Sequence, residues 1–413
     1  MRFLYQISIY FYSMLIEAIA PFYSKAWMWT NGRKKQHAYW IEDAENEKRE
    51  VIWFHCASLG EFEQARPVIE KVKKLTPNYA ILVTFFSPSG FEIRKNYELA
   101  DYVYYLPTDT VSNAQKWVSS WNLKMALFVK YEFWHFYTFE LANNKVPLYS
   151  FSSIFRPNQV FFKFYGGFFV NILKRFNQLY VQNEESQSLL NSIGIQQVSI
   201  AGDTRFDRVL ALLSESNQLP IVEDFTRGIQ KVIVLGSTWE NDLDTWKPII
   251  KSLIGRYKII IAPHEIKEDN IKWIEDNFAG EKVRYSEYQI SKSNFDILIM
   301  NNIGLLSTTY KYADIVYVGG AFGKGLHNIL EAATYGKPVI FGPKYKKFQE
   351  AVDLVRLGGA FSIQNSEELN KTALKLLTDK QFYNQSSEIA QKYVASNFGA
   401  TDKILRGIGL GEK

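Results

Sequence analysis

A two-lobed α/β protein built on parallel sheets is the fold class predicted by three features of the sequence. At 413 residues the chain is long for a single core, so two domains are expected. Two series of apolar, β-branched runs alternate with helical stretches, one beginning near Val51 and the other near Lys231. Such repeated βα units imply sheets covered on both faces. A polar segment from Asp207 to Gly228, containing Pro220, separates the two series and reads as the interdomain connection.

Composition narrows the class further. With 47% hydrophobic, 16% aromatic and 22% charged residues, the chain has the makeup of a folded globular protein. Its formal charge of +5 is mild for this size, and the basic residues are scattered, which does not suggest a nucleic-acid partner. The single cysteine, Cys56, excludes an internal disulfide and a zinc cluster and fits a reducing compartment.

The first segment, Phe3 to Tyr23, is strongly apolar but interrupted by Gln6, Ser8, Ser13 and Glu17. Gln6, Ser13 and Glu17 fall near one face of a helix, which favours an interfacial helix, with a tilted membrane span as the second reading. Arg2 ahead of an apolar run ending Ala18-Ile19-Ala20 also resembles a signal peptide, but Pro21 directly after that point counts against cleavage. Downstream, Lys25, Arg33, Lys34 and Lys35 with Trp27 and Trp29 resemble a flank that holds anionic lipid headgroups.

In the first series the expected strands are Val51–His55, Ala80–Phe86, Tyr102–Leu106, Met125–Val129, Pro147–Phe151 and Gln178–Gln182. The aromatic and basic stretch from Phe155 to Phe169 reads as core, as an apolar groove or as a membrane-facing patch. In the second series the expected strands are Lys231–Leu235, Tyr257–Ala262, Phe295–Met300, Ile315–Val318 and Val339–Phe341. After Asn365 the chain reads as mainly helical, with Ser366-Glu367-Glu368 opening a helix. No short-period repeat or low-complexity tract is present.

The most distinctive stretch runs from Asp314 to Lys344. An apolar run meets Gly319, Gly320, Gly323 and Gly325, and a cap-like Asn328 with Glu331 three residues on opens a helical segment. Strand, glycine loop and helix start together suit a phosphate. The same Asn-x-x-Glu spacing also serves simply to satisfy donors at a helix start. Neither GxGxxG nor GxxxxGK[ST] occurs in the chain.

In parallel sheets ligands bind beyond the carboxyl ends of the strands, so the residues just after each strand are the candidates for chemistry. His55-Cys56-Ala57-Ser58-Leu59-Gly60-Glu61 follows the first strand and exposes a carboxylate suited to a general base, or to favourable charge in a first helical turn. Lys130-Tyr131-Glu132-Phe133-Trp134 follows the fourth, Gln182-Asn183-Glu184 the sixth, and Gly202 to Asp207 closes the first half. In the second half Gly236-Ser237-Thr238-Trp239 and Pro263-His264-Glu265 follow the first two strands. Convergence of these loops on one cleft is the expectation that argues for an enzyme.

Taken together, these motifs resemble the 3-deoxy-D-manno-octulosonic acid (Kdo) transferases of lipopolysaccharide synthesis. The resemblance runs from the N-terminal helix through Ser58-Leu59-Gly60-Glu61, Glu132-Phe133-Trp134, Gln182-Asn183-Glu184 and Gly202 to Asp207, to Val318-Gly319-Gly320 and Glu331-Ala332-Ala333. It implies a GT-B glycosyltransferase architecture, two Rossmann-like domains facing a central cleft. Four segments follow: a membrane-associated helix and basic flank at 1–35, an acceptor-side domain at 36–206, a linker at 207–228, and a nucleotide-sugar domain with terminal helices at 229–413.

The implied reaction is inverting transfer of Kdo from CMP-Kdo to a hydroxyl of a lipid A precursor of the lipid IVA type, at the cytoplasmic face of the inner membrane. By the same match Glu61 is the catalytic base, and Glu132 and Arg205 stabilise the transition state. Pro263, His264, Ile303, Gly304, Leu305, Asn328, Ile329, Leu330 and Glu331 contact the nucleotide, with no cofactor and no metal. Pro263-His264-Glu265-Ile266 stands where the family typically reads Pro-Arg-His-Pro, Ile303-Gly304-Leu305-Leu306 replaces Met-Gly-Glu-Leu, Arg205 replaces a lysine, and Ser152-Ser153-Ile154-Phe155-Arg156 replaces Asn-Ala-Arg-Leu-Ser. Two alternatives stay open. A UDP-sugar enzyme of the same architecture is separated by CMP against UDP preference. A non-catalytic scaffold of envelope enzymes is weighed against by Glu61, Glu132 and the cation at Arg205.

Overall fold

The computed structural model describes residues 1–214, 218–228, 231–290, 295–323 and 325–411. They form two α/β units, Met1–Arg208 with Phe398–Lys413, and Val209–Asn397.

In the first unit seven strands, β1 (Val51–Cys56), β2 (Ala80–Phe85), β3 (Tyr102–Tyr105), β4 (Leu123–Val129), β5 (Leu148–Ser153), β6 (Gln178–Val181) and β7 (Val198–Ile200), form one sheet in the order β3-β2-β1-β4-β5-β6-β7. Every neighbouring pair is parallel. All residues of β1 and β2 are buried, as a sheet sandwiched between helices requires. Alternation divides β1 between two cores: Val51 and Trp53 pack with Trp117, Phe128 and Tyr137 on one face. Ile52 and Phe54 pack with Phe62, Val68 and Ile404 on the other. The chain order reverses between β1 and β4, which makes the loops after those two strands the switch point of the sheet.

The second unit repeats the plan with β8 (Val232–Thr238), β9 (Lys258–Pro263), β10 (Lys282–Arg284), β11 (Ile297–Ile299), β12 (Ile315–Val318), β13 (Val339–Phe341) and β14 (Ala360–Ser362), in the order β10-β11-β9-β8-β12-β13-β14 and wholly parallel. Its switch point lies between β8 and β12. Asn365 caps the helix Ser366–Thr378 by accepting from the Glu368 amide at 3.0 Å, as the sequence suggests.

Several expectations are corrected. The segment 207–228 holds most of the helix Arg205–Ser214 and all of the helix Pro220–Thr226, with Val209, Leu212, Val222 and Phe225 buried; residues 215–217 of that segment lie outside the described residues. Polar residues around each apolar contact hide the helical spacing there. The C-terminal helix Ala400–Gly407 belongs to the first unit rather than the second. It inserts Ile404 and Leu405 into that core, and Asp207 accepts from the Gly399 and Thr401 amides at 2.5 and 2.7 Å. The strands β7, β10 and β14 were not expected. Each is three residues long and at a sheet edge, too short to show a period of two.

Two helices, Arg2–Ile19 and Ser24–Asn46, precede the first sheet and meet at a 117° bend. No residue of the first is buried. Among the described residues no single helix is long and apolar enough to cross a membrane, although the bent pair has the length and composition together. Lys25, Lys34 and Lys35 are exposed, as a basic flank should be. Arg33 departs from that expectation and turns inward, donating to the carbonyls of Leu106 at 2.9 Å and Phe86 at 2.8 Å. Tyr5 also turns inward, donating to Asp109 at 2.6 Å. The 155–169 stretch divides: Phe155 and Phe161 are core, while Phe164 and Tyr165 are exposed.

Candidate functional site

In the first unit the chemistry gathers at the carboxyl ends of the strands. Beyond β1 the chain turns at Ser58 into the helix Leu59–Leu75, placing Glu61 in its first turn, where the helix dipole favours a carboxylate. Ser58 sits at the N-cap but its hydroxyl donates to the Glu61 carboxylate instead of capping the backbone. Beyond β4, Lys130 takes a left-handed φ of 57°. Its amide donates to the Phe151 carbonyl at 3.0 Å and its carbonyl accepts from the Ser153 hydroxyl at 2.7 Å, which fixes the turn carrying Glu132.

Glu132 is held by two ring nitrogens. Trp134 Nε1 donates to Oε2 at 2.8 Å, and His55 Nε2 stands 3.0 Å from the same oxygen. His55 is fully buried on β1, and its Nδ1 lies 2.8 Å from Thr84 Oγ1 on β2. That hydroxyl already accepts from Trp53 Nε1 at 2.8 Å. Trp134 Nε1 also lies 3.1 Å from His55 Nε2, so imidazole, indole and carboxylate close on one another at this strand end. The Trp134 ring stacks on Phe86 at 5.0 Å, fixing the indole that completes the grip.

Arg205 stands after β7 and is clamped by Asp203, which accepts from the Arg205 amide at 3.0 Å and from Nε at 2.9 Å. Burial alone would raise the Asp203 carboxyl, but the Arg205 charge and its hydrogen bonds hold it below the usual carboxylate range. Gln64, one turn beyond Glu61 on the same helix, donates to Asp203 at 2.8 Å. Thr204 donates to the Gln64 carbonyl at 2.6 Å. The base candidate and the cation candidate are thereby joined through Gln64 and Asp203. Burial pushes the Cys56 thiol up, and the charges of Glu61 and Glu132 push it further, so both carboxylates bear on the same strand end. Sequence reasoning assigned no role to His55, Gln64 or Trp134. His55 and Trp134 flank quoted motifs, but nothing local pairs position 55 with position 132.

In the second unit Pro263 ends β9 and the His264 amide donates to the Thr238 carbonyl at 2.9 Å. The His264 ring stacks on His327 at 4.3 Å and lies 4.6 Å from Trp239, tilted by 31°. Trp239 Nε1 donates to His327 Nε2 at 3.1 Å. Burial, with the neighbouring His264, lowers His327 to about 4, so it is neutral at pH 7. Where the sequence pattern leads one to expect an arginine, the structure presents a three-ring platform. Pro263 also borders a cavity of about 290 Å3 that includes Glu240, Glu265 and Asp269; these acidic neighbours make that cavity a poor phosphate site.

The glycine loop differs from the expected phosphate cradle. Gly319 lies so close to β8 that a Cβ there would be 2.4 Å from the Ser237 carbonyl, and Gly320 has φ +94°. The amides of Gly319, Gly320, Gly323, Gly325 and His327 all donate within the protein, that of Gly320 to Asp242 at 2.8 Å. The helix that follows is only Leu330–Thr334, with Ile329 at its N-cap. Asn328 precedes the cap; it accepts from the Leu330 amide at 3.1 Å and donates to Glu331 at 3.0 Å. Ile329 and Leu330 are buried, leaving backbone rather than side chain for any ligand. Ile303 is 90% exposed, and with Gly304 (φ +94°) and Leu305 it forms the loop after β11, the strand beside β9. Among the described residues no three His, Cys, Asp or Glu side chains converge to hold a metal ion.

Comparison with known proteins bears on this arrangement. Residues 32–208 match the family model described as 3-deoxy-D-manno-octulosonic-acid transferase (kdotransferase). The chain is 27% identical over 367 residues to the 3-deoxy-D-manno-octulosonic acid transferase of Rickettsia prowazekii, covering 84% of this chain and 77% of that one. It is 25% identical over 338 residues to that of Aquifex aeolicus, covering 80% and 87%. Among solved structures, the UDP-GlcNAc 2-epimerase from Neisseria meningitidis bound to UDP-GlcNAc superposes with a TM-score of 0.63 over 87% of this chain and 99% of that one, at 14% identity. That likeness is one of fold, the GT-B-like pairing of two parallel-sheet units.

Proposed function

We propose that this chain, which is similar to the 3-deoxy-D-manno-octulosonic acid transferases, is an inverting glycosyltransferase moving Kdo from CMP-Kdo to a hydroxyl of a lipid A precursor of the lipid IVA type. The observation that carries the reading is the constellation of Glu61, Glu132 and Arg205 at the strand ends of the first unit, braced by His55, Trp134, Gln64 and Asp203.

In this reading Glu61 takes the proton of the acceptor hydroxyl as its oxygen bonds to the anomeric carbon. The bond from that carbon to the phosphate oxygen breaks, and CMP leaves with the electron pair. Glu132, held by the Trp134 N–H and the His55 ring, offsets positive charge developing on the sugar, and Arg205 offsets negative charge on the departing phosphate. Asp203 orients the guanidinium by accepting from it at 2.9 Å. Nucleotide recognition falls to Pro263, His264, the Ile303-Gly304-Leu305 loop and Asn328 through Glu331. No cofactor enters the scheme.

The helix Arg2–Ile19 would attach the enzyme to the cytoplasmic face of the inner membrane. Phe3, Leu4, Phe11, Met14 and Leu15 are exposed along it, beside Lys25, Lys34 and Lys35 on the next helix, an apolar face with a basic rim.

The test is to incubate the purified full-length protein with CMP-Kdo and a tetra-acylated lipid A precursor and to weigh the lipid by mass spectrometry. A gain of one or more Kdo residues is expected and counts the additions. No gain while a known transferase works in the same assay overturns the reading; activity with a UDP-sugar would then identify the rival enzyme, and continued silence a scaffold.

A further inference from the structure

Beneath the helix Ser24–Asn46 lies a cavity of about 400 Å3 whose lining includes Arg33, Lys34, Gln36, His37, Tyr105 and Thr108. Its lining has three basic residues, counting His37, and no carboxylate. Arg33 is the unusual member. Its guanidinium donates to three backbone carbonyls, those of Leu106 at 2.9 Å, Trp29 at 3.2 Å and Phe86 at 2.8 Å. It lies 4.0, 5.1 and 5.0 Å from the rings of Trp29, Phe86 and Tyr105. Among the described residues no carboxylate pairs with it, although an enclosed charge ordinarily needs a counter-charge. Three of its five N–H groups are engaged, leaving two for a ligand.

The other polar groups face the cavity with donors as well. The Gln36 carbonyl accepts from the Tyr105 amide at 2.8 Å, which leaves its NH2 group. Thr108 Oγ1 accepts from Asn113 at 3.1 Å, which leaves its O–H. Among the described residues Lys34 pairs with the exposed Glu17, at 3.2 Å, a contact of little strength in water.

We propose that this cavity is an anion site that takes a phosphate group, either free or in the headgroup of an anionic lipid. Its volume falls in the range of small-ligand pockets, about 300–1,000 Å3, and it opens beside the exposed apolar helix Arg2–Ile19. The proposal is independent of the transferase reading.

The chain has five histidines, so the imidazole resonances of the full-length protein are resolvable by NMR, and His37 reports on this cavity while His264 and His327 report on the second unit. Inorganic phosphate, short-chain phosphatidylglycerol and short-chain phosphatidylcholine are titrated in turn. A saturable shift of His37 with phosphate and phosphatidylglycerol, but not phosphatidylcholine, is expected; a shift with phosphatidylglycerol alone assigns the site to a lipid headgroup. Arg33→Gln should abolish it, and because Arg33 also ties the helix down, Lys34→Glu serves as a surface variant that should weaken binding at least ~10-fold. No saturable His37 shift with either anion, an equal shift with chloride, or a shift unchanged in Lys34→Glu overturns the proposal.

Discussion

His55 Nε2 lies 3.0 Å from Glu132 Oε2, joining a fully buried residue of β1 to a carboxylate beyond β4. The two strands flank the switch point of the sheet, so this bond ties together its two principal loops. Trp134 donates to the same oxygen, and Thr84 fixes the imidazole from behind. His55 is therefore a positioning residue, acting through Glu132.

His55→Phe, which keeps a ring of similar volume but no donor, should lower kcat by about 10- to 100-fold, the cost of one hydrogen bond to a charged group, with little change in the KM for CMP-Kdo. His55→Gln should recover part of the loss, since an amide can donate to Glu132. Steady-state kinetics alongside urea unfolding separates this from misfolding; equal losses in kcat and stability for both variants would reduce His55 to a core residue.

Glu61→Gln should lower turnover by about 10^2- to 10^4-fold, the usual contribution of a general base. Glu61 is half-buried and accepts from the neighbouring Ser58 hydroxyl, so folding and CMP binding should stay near wild type. Thermal unfolding and CMP titration check this. Near-wild-type turnover would remove Glu61 as the base.

Asp109 links the N-terminal helix to the start of the helix His135–Asn143, which follows the loop carrying Glu132. It accepts from the Tyr5 hydroxyl and from the amides of Phe136 and Tyr137, at 2.6, 3.1 and 3.0 Å. Burial outweighs these bonds and raises its carboxyl from 3.8 to about 6. The folded protein holds that proton more tightly than the unfolded chain, so its contribution to stability is complete below pH 3.8 and is lost as pH rises through 6. Relative to Asp109→Asn, the wild type should lose about 2 kcal/mol between pH 4 and pH 7. Urea denaturation of both proteins across that range measures the difference, and parallel stability curves would contradict it.

Leu4→Ser, Phe11→Ser and Leu15→Ser combined should weaken binding to phosphatidylglycerol vesicles by about 2–5 kcal/mol, or roughly 30- to several-thousand-fold. These side chains are exposed, so the thermal midpoint should not move. Vesicle sedimentation is the measurement; undiminished binding would shift attention to the exposed Phe164 and Tyr165.

By itself the sequence determined the two βα series, all the longer strands and the loops in which Glu61, Glu132, Arg205 and His264 stand. Burial on both faces writes central strands as unbroken apolar runs, and the ends of those runs mark the loops. It could not reveal the edge strands β7, β10 and β14, which are too short to carry a period, nor that Ile404 and Leu405 return to the first core, because an apolar helix face does not name its partner. Only tertiary structure decided that His55 grips Glu132 across 77 residues of chain, that Gln64 reaches Asp203 across 139, and that Arg33 turns inward from a run of basic residues. It also closed the amides of the glycine loop on the protein itself. Sequence spacing can suit a phosphate or a carbonyl equally well, and the choice between them depends on which acceptor the packed backbone brings within about 3 Å.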